Sequence, residues 1–144
     1  MVRVFTKIFT AGQCFSPADA ERALGVTFEL ANEPGARGRS GRILDDGAAW
    51  LRIGPPEGAP TLSAATASEA VARLDALRTL GASDPTIHVD VEYDGQCNLE
   101  LEPDVLGILA SSGATLALSV YPTPGGDAPT RARVRGEDEP GDAC

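Results

Sequence analysis

Six stretches of the chain read as strands, and the three that follow a helix do so by alternation of apolar and polar residues with period two. The six are VRVFTKIFT near the start, Val26-Phe28-Leu30, AAWLRI at 48–53, Ile87-Val89-Val91, CNLEL at 97–101 and Leu116-Leu118-Val120. Period two marks strands that bury one face. Between them lie three segments with helical spacing and clear ends. The first has Ser16 as N-cap, Pro17 at the first helical position, Ala20, Ala23 and Leu24 as its apolar positions, and Gly25 as its stop. The second opens with Thr66 and Glu69 in capping-box spacing, carries Ala70, Val71, Leu74, Leu77 and Leu80, and stops at Gly81. The third starts at Pro103 and Asp104, buries Val105, Leu106 and Leu109, and stops at Gly113.

The resulting order is β-α-β-β-α-β-β-α-β. It predicts an α+β fold, a two-layer sandwich with a mixed, mostly antiparallel sheet and three helices on one face. The first six elements match the ferredoxin-like βαββαβ order, and a β-α-β extension follows. The tripeptide GQC recurs at 12–14 and 95–97, each time ahead of a Pro-started helix and a strand. A duplicated βαβ half would explain it, as would chance in so short a motif.

Asp94-Gly95, between two alternating runs, signals a hairpin. A two-residue turn would set Val91 opposite Asn98 and mismatch the faces. A three-residue loop, Tyr93-Asp94-Gly95 with Gly95 left-handed, pairs Val91 with Cys97, Val89 with Leu99 and Ile87 with Leu101. In that register the other face carries Asp90 opposite Asn98 and His88 opposite Glu100, with Glu92 and Glu102 at the ends. Residues 86–104 hold six acids and no Lys or Arg. This face is the candidate site. A solvated strand surface alternates in the same way, whereas a docking surface would use the one-signed charge to speed association with a basic partner. His88, the single histidine, would make an exposed pair with Glu100 or serve as a general acid or base.

Composition narrows the functional classes. The chain has 144 residues, 42% hydrophobic content and a formal net charge of -9. That suits one domain, 1–122, followed by a Pro/Gly/charged tail, 123–144, too polar to bury a core. The acidic balance argues against DNA. Cys14, Cys97 and Cys144 form no CxxC pair and, with one histidine, no metal set is expected. Free thiols suit a reducing cytoplasm. The opening MVRVFTKIFTAGQC is interrupted by Arg3, Thr6 and Lys7, so neither a signal peptide nor a membrane span is expected.

Three further features bear on chemistry. GARGRSGR at 35–42 sets Arg37, Arg39 and Arg42 among glycines, without a Walker or GxGxxG pattern. A solvated flexible loop is the ordinary reading, and phosphate or RNA contact the functional one. Trp50 is out of phase with Ala49, Leu51 and Ile53 and should leave the main core, either under the Gly-rich loop or toward a partner. Ser111 and Ser112 lack a G-x-S-x-G elbow, and Cys14 and Cys97 lack a base, so no catalytic residue and no cofactor are assigned.

The run LELEPDVLGILASSGATLALSVYP, with FTKIFTAGQCFSPADAERALGV at the start and Trp50 between them, resembles the bacterial domain-of-unknown-function family 4279 over residues 2–122. FELANEPGARGRSGR departs from that family's usual Pro-led, Lys/Trp-containing segment. The resemblance implies the fold and carries no established activity. The leading expectation is a small acidic, non-enzymatic protein-binding domain, in its most concrete form an immunity-type inhibitor of a basic toxin. The alternatives are a hydrolase or transferase using His88 with a nearby carboxylate, and a homodimeric structural protein.

Overall fold

The computed structural model describes residues 1–123. The expected tail lies, from Pro124 onward, outside the described residues, as does Cys144. The elements are β1 (Val2–Gly12), α1 (Pro17–Leu24), β2 (Leu30–Asn32), β3 (Gly47–Ile53), α2 (Ala64–Thr79), β4 (Ser83–Tyr93), α3 (Pro103–Ser111) and β5 (Thr115–Pro122). They form an α+β sandwich of one five-stranded mixed sheet, ordered β2-β3-β1-β4-β5, and a layer of helices. Neighbouring strands are antiparallel except β4 and β5.

The helix ends follow local chemistry. Ser16 Oγ accepts from the Asp19 amide, and Gly25 closes α1 in the left-handed region at φ 64°. In α2 the cap is Ser63, not Thr66: its Oγ accepts from the Thr66 amide at 3.1 Å, so the helix begins one turn earlier than the capping-box spacing suggested. Leu62 and Ala67, flanking that cap in staple positions, are both buried. α3 starts at Pro103 as expected, while its N-cap Glu102 makes no side-chain cap bond.

Ala67, Ala70, Leu74 and Leu77 of α2 and Val105 and Leu109 of α3 pack with Val4, Ile8, Leu51, Ile53, Ile87, Val89 and Val91 into one core. The small alanines let α2 sit close to the sheet. Phe15 and Phe28 meet edge to face at 6.3 Å and close the α1 end of the core. The strand expected at 26–30 is therefore mostly a core-anchoring segment, and the ladder begins only at Leu30.

The hairpin expectation is overturned. Residues 96–102 form no strand, because both edges of β4 are occupied: β1 pairs on one side, from Val2↔Tyr93 to Ala11↔Ser83, and β5 runs parallel on the other, from Thr86↔Thr115 to Tyr93↔Pro122. The fold thus ends in α3 and β5 with no preceding strand of an extension. Cys97, Leu99 and Leu101 still pack against the core while Asn98, Glu100 and Glu102 face solvent. The alternation reported burial correctly and backbone pairing incorrectly. The two GQC glycines also differ in role: a Cβ on Gly12 would lie 2.5 Å from the Gly81 carbonyl, whereas Gly95 has open space and a φ of 82°.

Two glycines separate close packing from backbone conformation. A Cβ at Gly47 would lie 1.8 Å from the Phe15 carbonyl oxygen, while Gly25 has nothing within 4 Å. Gly47→Ala is expected to cost on the order of 3 kcal/mol by overpacking, and Gly25→Ala about 1 kcal/mol through its left-handed backbone. Urea unfolding of both variants measures the difference, and equal losses would contradict the tight approach of β3 to the α1 entry.

Candidate functional site

One phase of every strand faces the core, and the other forms the opposite surface of the sheet, which the helices do not cover. β1 supplies Arg3, Phe5, Lys7 and Phe9, β3 supplies Trp50 and Arg52, β4 supplies His88, Asp90 and Glu92, and β5 supplies Ser119 and Tyr121. Of the expected site residues, His88, Asp90 and Glu92 share this face with Trp50. Asn98, Glu100 and Glu102 do not join them, since their segment never pairs with β4.

Phe9 lies directly opposite Trp50 in the β1–β3 ladder, with ring centroids 5.0 Å apart. Trp50 leans across β1 to meet His88 edge on at 4.7 Å. Trp50 therefore leaves the core, as its phase required, and is half-buried by its aromatic neighbours rather than by a helix. Its position opens a cleft of about 390 Å³ lined by Lys7, Glu29, Leu30, His88, Asp90 and Tyr121 around the indole. Two more depressions continue in series along the face. One of about 490 Å³ shares Trp50 and Leu30 and adds Phe9, Asn32, Arg39 and Leu44. The other, of about 680 Å³, runs past Phe9 to Arg42, Asp45 and Asp46.

The face is not one-signed. Arg3 reaches Glu92 at 2.6 Å, Lys7 lies 3.6 Å from Asp90 and 3.9 Å from Glu29, and Arg52 pairs with Glu29. Three carboxylates meet three bases, so the electrostatic surplus expected here is cancelled by β1 and β3, the strands that the hairpin reading left out. All of these side chains are a quarter to two-fifths exposed. Each pair is worth at most about 1 kcal/mol and serves mainly to order the surface. His88 meets an aromatic ring, and its expected partner Glu100 is elsewhere.

The Gly/Arg segment is ordered rather than a free loop. Gly35 donates to the Leu44 carbonyl at 2.7 Å, Leu44 to Ala36 at 2.8 Å, Gly38 to Arg42 at 2.8 Å and Gly41 to Gly38 at 2.9 Å. This small hairpin walls the far end of the groove. Its Arg37, Arg39 and Arg42 are exposed, and none belongs to an ion pair among the described residues.

Sequence reasoning missed Phe5, Lys7, Phe9, Glu29, Leu30 and Tyr121. The signal was present in β1, where both phenylalanines share the phase of Arg3 and Lys7 while Thr6 and Thr10 occupy the phase of Val4 and Ile8. Among the described residues no three His, Cys, Asp or Glu side chains gather to hold a metal, and no helix is long and apolar enough to cross a membrane. No protein-family model, curated protein or solved structure matches the chain.

The chain has a single tryptophan, so its emission reports this site alone. His88→Ala removes the ring against the indole and is expected to red-shift that emission, whereas Glu100→Gln leaves it unchanged. A shift from Glu100→Gln, with none from His88→Ala, would contradict the arrangement.

Proposed function

We propose that this chain is a non-catalytic binding domain that docks a protein partner on the open sheet face, with Trp50 as the anchoring side chain. The observation that carries this reading is the Phe9-Trp50-His88 cluster at the centre of a series of depressions on the one sheet surface without a helix over it. Half-buried aromatic side chains in a concave setting, ringed by ordered polar groups, are what binding hot spots are built from.

The chemistry favours a polypeptide over nucleic acid. Glu29, Asp90 and Glu92 project into the same face as the bases and would repel phosphates along a strand. Arg39 and Arg42 at the far wall suit acidic residues of the partner. An immunity-type inhibitor remains one concrete form of such a domain. Its contact would then be led by the aromatic groove, with Asp94, Glu100, Glu102 and Asp104 as peripheral charge rather than as the docking centre. Against a hydrolase or transferase centred on His88 stands the engagement of Asp90 by Lys7 at 3.6 Å, which holds that carboxylate for an ion pair.

The β2-β3-β1-β4 order with antiparallel neighbours supports a ferredoxin-like reading of the first six elements, to which α3 and β5 are appended. Kinship with the uncharacterised family 4279 is inferred on its fold motifs alone.

Pull-down from a lysate of the source cells, followed by affinity measurement on the captured protein, tests the docking face. Trp50→Ala is expected to weaken binding roughly 30-fold or more, and Glu100→Gln to leave it within about 2-fold, as is usual for an exposed charge outside the contact. A partner held equally well by Trp50→Ala would sink the proposal, as would the absence of any specific partner.

A further inference from the structure

The sheet has two edges of different character. At one, β2 is three residues long and leads into the 35–44 hairpin. At the other, β5 is eight residues long, TLALSVYP, without a charged residue or a bulge in its pairing with β4. Charges, bulges and very short strands are the devices that keep an edge from recruiting another strand. Only Pro122, at its last position, blunts β5.

The side chains of β5 repeat the message. Leu116, Leu118 and Val120 stand in register with Ile87, Val89 and Val91 of β4, on the core side of the sheet. The β4 residues are at most 1% exposed, while the three on β5 are 40%, 53% and 47% exposed. A row built to be buried stops at the sheet edge with no described element over it.

We propose that β5 pairs with β5 of a second copy, antiparallel about a two-fold axis at Leu118, to form one continuous ten-stranded sheet. The spacing is self-complementary. With Leu118 opposite Leu118, Leu116 of each copy falls opposite Val120 of the other and the whole row lies on one face, as an isologous contact requires. Charge selects the occupant. Although each copy carries a formal charge of -9, the strand itself brings none into the contact and offers no carboxylate to a basic partner. The Leu116-Leu118-Val120 row lies on the core side, while Ser119 and Tyr121 of the same strand line the Trp50 cleft, so the dimer borders that cleft, and the pairing does not depend on its role.

Sedimentation of the full chain in reducing buffer over a wide concentration range tests the pairing. A reversible monomer–dimer equilibrium is expected. Leu118→Lys and Val120→Lys should each weaken it about 10-fold or more by burying an unpaired ammonium, with unchanged circular dichroism, while Leu30→Lys on the opposite edge leaves it intact. Hydrogen exchange of the unsubstituted chain gives a second reading, in which β5 amides gain protection as concentration rises. A monomer throughout the range would overturn the proposal and assign the edge to residues 124–144 or to another protein. A dimer that tolerates both lysines, or one lost in Leu30→Lys, would overturn it equally.

Discussion

Parallel pairing of β5 with β4 determines what the rest of the molecule can do. Once β1 and β5 hold the two edges of β4, the chain leaving Tyr93 cannot fold back as a hairpin. It must cross the core side through residues 96–102 and α3 before returning as a strand, a connection of the kind parallel strands require. That route carries Cys97, Leu99 and Leu101 over the apolar layer and sends Asn98, Glu100 and Glu102 to solvent. It also leaves β4's outward side chains beside those of β1. The acidic residues of β4 therefore face Arg3 and Lys7 instead of more acids, and the surface becomes neutral and aromatic rather than negative.

Much of this architecture is legible in the chain. Ser16, Pro17 and Gly25 delimit α1, and Pro103 and Gly113 delimit α3, because caps and stops act within a few residues. The strand phases of β3 and β4 read correctly, since alternation reports which side chain is buried, whereas the apolar row of β5 stays exposed at the sheet edge. Alternation does not report partner choice. Residues 97–101 alternate in burial without a ladder, and nothing local distinguishes a strand from an extended segment lying on a core. Ser63 and Thr66 stand three residues apart and either can cap; the additional turn through Ala64 and Ala65 and the burial of Leu62 favour the earlier one. The candidate site was half visible. His88, Asp90, Glu92 and Trp50 do share a surface, but the strand that joins them, β1, contributes residues whose role shows only when it is seen to run between β3 and β4.

The Gly/Arg hairpin shows how composition and structure can diverge. Gly35 and Gly41, at φ of 81° and 78°, act as turn residues and not as flexible spacers. Once the backbone bonds of residues 35–44 close, Arg39 and Arg42 are held along the wall of the groove.

The inverted pattern of β1 has a wider meaning. Thr10 is fully buried, its hydroxyl has no hydrogen-bond partner, and it stands where β4 bulges at Asp84 and Pro85, Asp84 at φ 46°. A satisfied or apolar residue there would make a firmer core. Two residues of the same strand carry half-buried rings on the outer face while hydroxyls go inward. Folding alone would favour the reverse assignment, so β1 reads as a strand whose sequence has been shaped by its outer surface, with the interior accommodating the result.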